Sequence, residues 1–416
     1  MGRQVLMERQ HHAQSASGTL IVSLMAGYSI VYMDKNMIST AIIPIADQYG
    51  LDPGQTGTIM SAFFLGYTLT LIFSGWLADR FGSKPVLMGS MMLIGIFSFL
   101  FGFANGLPFF ILIRFLAGMG HGGYPPSCSK AIAENFPQER RTFVQALILS
   151  TSGIGGILAF TLGANLISSN WHVAYSVLGA CYLVACVLIL IFVPGTPRKA
   201  VAGKVEHIEA DAAAAASQEP KVGVWELLKN RNVLALFLAL LFLNILLYGT
   251  MSWMPSYVTK TFNLSISQAG ILLAVNAVFS TVATIFSGQL LSKLFLGREK
   301  QAIVGSTVIT SVLVIVFLFL QNVWLSLACM ILISCFAVLA FTGMFTWPHK
   351  IMDSHLIGSA IGITSTGGTI GGFLAPVISG YLVKAAGGSF FWAFSFLALM
   401  SLLSGLVVLT VKVKQE

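Results

Sequence analysis

Gly18-Thr-Leu-Ile-Val-Ser-Leu-Met-Ala-Gly27-Tyr28-Ser-Ile-Val-Tyr32-Met-Asp34-Lys35-Asn36-Met-Ile-Ser-Thr-Ala-Ile-Ile-Pro44-Ile45 is apolar over nearly its whole length, yet its middle holds two adjacent charges. About twenty apolar residues cross a bilayer as a helix, so this stretch is long enough to span. A charge at that depth costs roughly 3 kcal/mol or more unless a partner or a water-filled cavity meets it, and such a charge marks an ion or substrate pathway. The pair therefore points to a membrane protein that moves something.

Composition agrees. Of 416 residues, 56% are hydrophobic and only 9% are charged, a balance that a water-soluble domain of this size could not carry on its surface. Further spans follow the first, giving 18–45, 55–77, 84–104, 108–131, 141–165, 172–194, 230–257, 268–292, 301–320, 323–347, 359–382 and 387–411. The expected fold is an all-α membrane protein of twelve transmembrane helices.

Short loops that stay in the cytoplasm keep Lys and Arg, whereas translocated ones lose them. Arg3, Arg9, Arg80, Lys84, Lys130, Arg140, Arg141, Arg198, Lys199, Lys204, Lys293, Arg298, Lys300, Lys350, Lys412 and Lys414 fall on one side of this layout, and the opposite loops carry only Lys260 and Lys384. Both termini are thus expected in the cytoplasm, in a multi-pass protein of the inner or plasma membrane. The net charge of +8 follows from that topology and from anionic lipid, without nucleic acid. The first span is too long for a cleaved signal and lacks a small-residue cleavage site, so it is expected to remain as a helix. Cys128, Cys181, Cys186, Cys329 and Cys335 all lie inside spans without ligand spacing, so reduced thiols, no metal and no cofactor are expected.

Between Arg198 and Lys221 lie eight charges of both signs, with Pro194, Pro197 and Pro220 and an alanine run from Ala212 to Ala216 nearby. The segment reads as a cytoplasmic linker with a short surface helix around Trp225 to Lys229. Five regions result: a tail at 1–17, a six-helix bundle at 18–194, the linker at 195–229, a second six-helix bundle at 230–411 and a tail at 412–416. A faint repeat supports two pseudo-symmetric halves. Gly75-Trp-Leu-Ala-Asp79-Arg80-Phe-Gly82-Ser-Lys84 follows the second span, and Gly288-Gln-Leu-Leu-Ser292-Lys293 follows the eighth.

The first of these loops resembles the signature loop of the major facilitator superfamily, whose members place the substrate between paired six-helix halves near the midplane. The resemblance implies that Gly75 permits close helix approach and that Asp79 and Arg80, flanked by Gly82 and Lys84, latch one conformation by meeting a helix N-terminus of the other half. An ordinary charged turn is the competing reading. Ser292 replaces the carboxylate in the second copy, so a latch there should be weaker.

Deep in the spans lie Asp34, Lys35 and Arg114, together with His121. Arg114, Gly118 and His121 share one face of the fourth span, with Arg and His ~10 Å apart along the axis. Counting along antiparallel helices places Asp34 at a depth between them. One carboxylate cannot neutralise two cations, and the surplus positive charge invites an anion. A guanidinium grips a carboxylate at two points where an ammonium offers a point charge. The alternative is a buried ion pair, Asp34 with Lys35 or with Arg114, that only holds helices together.

Tyr32-Met-Asp34-Lys35-Asn36, Arg114-Phe-Leu-Ala-Gly118, Asn135-Phe136-Pro137-Gln-Glu139-Arg140-Arg141 and Ser252-Trp253-Met254-Pro255-Ser256-Tyr257 resemble motifs of the anion:cation symporter branch of that superfamily, which carries sugar acids and related anions. The resemblance implies that Asp34 carries the coupling proton and that Lys35 and Arg114 attract or bind the anion. Members usually have Arg at position 35, and many have Glu at position 121. His121 could replace that carboxylate as a proton site, because imidazole titrates around neutrality; it could equally donate to substrate or pack beside Gly122 and Gly123. Tyr28, Tyr32, Asn244, Tyr248, Thr366 and Thr369 are further pocket candidates, each with a plain helix-packing alternative.

A drug exporter would be expected to show a Gly-Pro motif in the fifth span, where Thr151-Ser-Gly153-Ile-Gly155-Gly156 has none, and an organophosphate exchanger would need a second basic residue in the seventh. A membrane sensor lacks a signalling surface in the linker, and an enzyme lacks any nucleophile and base or phosphate loop. The sequence therefore leads to a monomeric, proton-coupled symporter that imports a small organic anion, a carboxylate, by alternating access.

Overall fold

The computed structural model describes residues 2–195, 229–347 and 357–412. Helix follows helix: α1 (Gly2–Tyr49), α2 (Pro53–Phe81), α3 (Ser83–Phe101), α4 (Leu107–Asn135), α5 (Gln138–Leu149), α6 (Thr151–Leu158), a π-helical turn (Ala159–Gly163), α7 (Ala164–Phe192), α8 (Arg231–Phe262), α9 (Ile266–Lys293), α10 (Glu299–Leu318), α11 (Val323–Thr346), α12 (Ile357–Ala385) and α13 (Phe391–Leu409). Asn170 is extended inside α7 (φ −164°, ψ 108°) and divides it. The fifth span is therefore α5, α6, the π-turn and the start of α7, and the sixth is the rest of α7. With those two counted, twelve spans are traced among the described residues. Among the described residues eight helical runs are long and apolar enough to qualify by composition alone; α2 qualifies only as a bent pair, and α1 and α4 are not among them. Asp34, Lys35, Arg114 and His121, which are among the polar residues of these two helices, belong to the site.

Helix starts and stops have local causes. Asp52 and Ser265 cap α2 and α9 with full capping boxes through Gln55 and Gln268. Gly82 ends α2 at φ +88°, a conformation that suits glycine. Pro44, Pro125, Pro126, Pro255 and Pro376 sit inside helices. In a membrane such breaks persist where neighbours re-satisfy the backbone, and the Pro376 carbonyl accepts the Trp253 indole N–H at 3.1 Å.

Two differences from expectation concern the ends and the linker. Residues 2–17 were expected as a tail, yet they extend α1, since nothing in that polar stretch breaks a helix. The expected linker and its surface helix fall almost wholly on residues 196–228, outside the described residues.

Packing within the first half depends on glycine. A Cβ on Gly118 would run into the Phe63 carbonyl oxygen of α2, and one on Gly66 into that of Phe115 of α4. Small residues let helix backbones approach in this way. The two halves share a device that the sequence repeat did not show. Lys84, in the first turn of the third span, donates to the Leu190 carbonyl at the end of the sixth (2.7 Å), and Lys300, in the first turn of the ninth, donates to the Leu409 and Val411 carbonyls at the end of the twelfth (2.7 and 3.0 Å).

Among the described residues the halves meet closely at the end opposite the basic loops. There a Cβ on Gly57 would strike the Pro376 carbonyl, and one on Gly380 that of Pro53; Ser168 and Ser267 bond at 3.0 Å, and Asp52 pairs with Lys384 at 3.0 Å. Burial pushes the Asp52 carboxyl up, but the hydrogen bond from Lys384, the Gln55 and Gly54 backbone N–H groups and the Lys384 charge together outweigh it and hold the group below the usual carboxylate range. The other end carries Arg80, Lys84, Lys130, Arg140, Arg141, Lys293, Arg298 and Lys300. At that end a Cβ on Gly75 or on Gly288 would meet nothing within 4 Å.

Candidate functional site

Asp34, in the middle of α1, has no exposure to solvent and faces the interior of the first half. Its Oδ1 accepts from Arg114 Nη1 of α4 at 3.1 Å, and its Oδ2 from Ser98 of α3 at 3.2 Å. The guanidinium lies over the Phe63 ring, 4.4 Å from its centroid, a cation–π contact from α2. Arg114 Nε and Nη2 are buried without a hydrogen-bond partner. Arg114 is thus bound to Asp34 by a single contact, with most of its donors unused.

Lys35 points away from Asp34, because successive side chains on a helix diverge by about 100°. Its Nζ reaches across the boundary between the halves to donate to the Tyr248 hydroxyl of α8 at 3.0 Å. Tyr32, Phe64, Tyr67 and Tyr248 surround the ammonium, with ring centroids 4.5 to 5.7 Å away. No carboxylate pairs with it among the described residues, so its charge is balanced by aromatic faces and one phenol oxygen.

His121 lies on α4 and packs edge-on against Phe63 and Tyr67 of α2, at 5.1 and 4.9 Å. Its Nδ1 is buried and has no hydrogen-bond partner. Tyr67 therefore touches both His121 and the space around Lys35, linking the two polar centres through α2. Phe63, Phe64, Tyr67 and Ser98 went unread in the sequence: rings in an apolar span and one serine among many carry no signal until the neighbours are known.

The remaining candidates divide. Tyr32 and Tyr248 belong to the Lys35 cage. Tyr28 stacks on Tyr124 at 5.2 Å and meets Tyr32 edge-on at 4.9 Å, in the packing behind the cage. The Asn244 amide donates to the Leu240 carbonyl of its own helix at 2.7 Å, and the side chain packs against Gly368 and Gly371 of α12. Thr369 donates to the Thr366 carbonyl and Thr366 to that of Gly362, so both hydroxyls are used within α12.

In the signature loop, Asp79 bonds Lys130 of α4 at 2.7 Å rather than a helix terminus of the other half. Arg80 lies against the Trp76 and Phe81 rings. The physical reason is proximity: Lys130, in the same half, stands within ion-pair distance of the carboxylate.

A cavity of about 640 Å³ lies between the halves and runs from mid-bundle toward the basic end. Asn36, Phe160, Thr250, Met254, Asn276 and Ser334 are among its walls, and Ala146, Thr284 and Ile285 lie nearest the basic end. None of the charged residues of the site lines it. Asn36 and Asn276 are mid-span amides, which is the sequence signal that should have marked them. No group of His, Cys, Asp and Glu among the described residues could hold a metal ion.

Comparison with known proteins follows the geometry. The Major Facilitator Superfamily family model matches residues 24–376 and 296–416. The chain is 28% identical over 430 residues to the probable galactarate/D-glucarate transporter GudP of Escherichia coli, covering 94% of this chain and 92% of that one. It is 26% identical over 370 residues to the probable sulfoacetate transporter SauU of Cupriavidus necator (86% of each) and 25% over 380 residues to the hexuronate transporter of Bacillus subtilis (88% of each). Among solved structures, a bacterial homologue of the human lysosomal transporter Spinster, inward-facing and occupied, superposes with TM-score 0.76 at 16% identity over 95% of each chain. A D-xylose-proton symporter does so with TM-score 0.73 at 14% identity, over 94% of this chain and 96% of that one.

Proposed function

The chain belongs to the Major Facilitator Superfamily, and on that premise we propose that it imports a small organic anion, a carboxylate, together with protons, by alternating access. The observation that carries this reading is the half-used guanidinium of Arg114, paired once with Asp34 and buried with two donor nitrogens free. Buried ion pairs contribute little net stability, so a pair left partly unsatisfied, with a further buried cation, Lys35, in the same bundle, is better explained by exchange of partners.

The exchange works as follows. A proton on Asp34 removes the charge that holds Arg114, which leaves a buried guanidinium in need of an acceptor. A substrate carboxylate supplies two oxygens in the planar geometry that the fork fits. Proton and anion then bind together, and the loss of either restores the Asp34–Arg114 pair. Lys35 draws the anion toward the boundary between the halves, where its bond to Tyr248 is weak enough for a carboxylate to displace. His121, with a free ring nitrogen near Lys35 and Arg114, is a second proton site in this scheme.

The bundles at 18–194 and 230–411, joined by 195–229, rock about the closed end. When the basic end closes, Gly75 and Gly288 allow the helices to approach, and Asp79 leaves Lys130 for the other half. The chain is a monomer in the plasma membrane with its basic end and both termini in the cytoplasm; the carried acids named for its relatives support the anion, and the proton gradient supplies the driving force.

Reconstitution in liposomes tests the reading. Labelled acid should accumulate when the outside is made acidic, and a protonophore should abolish the accumulation. Accumulation that ignores the proton gradient would contradict the coupling.

A further inference from the structure

Span five leaves the α register at the π-helical turn Ala159–Gly163. At the exit of the turn the Ala164 N–H bonds the Ala159 and Thr161 carbonyls and passes over the Phe160 carbonyl, which would be its partner in an α-helix. That carbonyl is directed at the other half: a Cβ on Gly270 of α9 would strike its oxygen and would lie 2.7 Å from the Ala164 Cβ. The Cα–H that stands in place of a side chain at Gly270 therefore points at the oxygen, in the arrangement of a weak C–H···O bond. Behind the turn lies α1, where a Cβ on Gly163 would sit 3.4 Å from the Met37 side chain. Leu162 faces out of the bundle and is 52% exposed. Asn170 is extended, so a change of register in the turn can be taken up there.

From this placement we infer that the π-turn is a register switch that locks the closed end. It keeps the π form while Gly270 covers the Phe160 carbonyl, and it returns to α-helix, with Ala164 donating to Phe160, when α9 moves away. The inference rests on the alternating-access reading above and adds to it the element that changes shape. Single π-turns inside α-helices are rare and collect at functional sites. A buried backbone carbonyl needs a partner, and the Phe160 carbonyl has two that exclude each other. Donation by Ala164 draws the oxygen along the helix axis, whereas contact with Gly270 needs it turned toward α9. Each state of the carrier thus satisfies the same oxygen in its own way. That is the two-position contact that an alternating structure requires, because packed interfaces switch between discrete arrangements. The device is separate from the charged site, since none of Asp34, Lys35, Arg114 and His121 belongs to the turn.

The test uses the full-length chain with its five cysteines replaced by serine, reconstituted in proteoliposomes. Spin labels are attached through Ser169→Cys and Ser389→Cys, exposed positions at the closed end of the two halves. Pulsed dipolar spectroscopy between them reads the ratio of open to closed forms at that end. Deletion of Leu162 takes one residue out of the turn and leaves the α register, so the ratio should rise at least about fivefold, the worth of one hydrogen bond. Leu162→Ala keeps the count and should leave the ratio unchanged. Gly270→Ala should raise the ratio in the normal register and add nothing in the deletion, where the carbonyl is already withdrawn. An unchanged ratio in the deletion, or an equal rise from Gly270→Ala in both registers, would overturn the inference and leave alternating access standing. Should the deletion not fold, hydrogen exchange of the undeleted chain decides, with the closed end clamped by a disulfide between Ser168→Cys and Ser267→Cys, whose native hydroxyls stand 3.0 Å apart. Reducing the clamp should slow exchange at residues 160–165, where a direct bond replaces a shared one, while residues 166–172 exchange faster. Faster exchange at 160–165 along with its neighbours would overturn the inference. A single label distance in every variant, the unaltered turn included, would overturn both the switch and alternating access.

Discussion

The two halves of this transporter share a fold and divide the chemistry. The first half holds Asp34, Lys35, Arg114 and His121 in mid-membrane, whereas the second presents Tyr248, Asn276 and Ser334 and no deep charge among the described residues. Symmetry of packing survives in the paired lysines Lys84 and Lys300, each tying down the last helix of its half. What the difference teaches is that two bundles of the same fold need not share their buried charge: among the described residues all of it lies in the first, and the second meets it with neutral polar side chains.

The contrast is broken most severely at Arg114. Arg114→Ala would leave Asp34 buried and unpaired, at a cost of about 3–5 kcal/mol, so the thermal midpoint of the purified variant should fall sharply. Arg114→Lys keeps the charge and loses the fork, and uptake of the acid should drop by at least about tenfold with the fold intact. Near-normal uptake by Arg114→Lys would move anion binding out of the first half.

His121 sharpens the comparison next. His121→Gln should flatten the pH dependence of uptake, and His121→Glu should keep coupled uptake with a displaced profile. Superimposable profiles for wild type and both variants would leave His121 as a packing residue between Phe63 and Tyr67.

A smaller effect is expected where the halves touch. Tyr248→Phe retains the ring over the Lys35 ammonium and removes only the hydrogen bond across the boundary, worth about 1 kcal/mol. The apparent KM should change by about fivefold, since the bond competes with the anion for Lys35. No change in KM would show that the cage, and not the phenol oxygen, holds Lys35.

The smallest effect is expected at the closed end. The Asp52–Lys384 pair is partly exposed and worth about 0–1 kcal/mol, so Asp52→Asn should raise labelling of an engineered closed-end cysteine only slightly. Its pH behaviour has a definite sign. Because the Asp52 carboxyl is held below its ordinary value, the pairing is present above about pH 4 and is lost only as pH falls through the lowered value. The pair stays charged through neutral and mildly acidic conditions, so it is not the source of pH-dependent uptake in that range. Abolition of that dependence by Asp52→Asn would contradict this assignment.

Much of the fold was legible because spans are set by length and hydropathy, and helix ends other than the start of α1 fell within about five residues of the breaks in apolar sequence. Span five was harder: its break at Ser150 and its π-turn at Ala159–Gly163, a segment packed against α1 and α9, are not recorded in a hydropathy pattern. In the site, Asp34, Lys35, Arg114 and His121 stood out because charge is costly in lipid. Direction was not legible. Adjacent residues on one helix face different neighbours, so Asp34 met Arg114 while Lys35 met Tyr248. Asn244 and Thr369 looked like pocket residues, but a mid-membrane amide or hydroxyl can also be satisfied by its own helix, and only the packing of α8 on α12 tells which.

The central claim is that Asp34 and the anion exchange places on Arg114 under control of a proton. Asp34→Asn removes the charge and the proton together, and the informative experiment compares two modes of transport by that variant in the same proteoliposomes. Exchange of labelled for unlabelled acid should persist, because it never requires an empty carrier to release a proton and return, whereas accumulation driven by an imposed pH gradient should be lost. Gradient-driven accumulation by Asp34→Asn at the wild-type level would contradict the account and reduce Asp34 to a structural partner of Arg114.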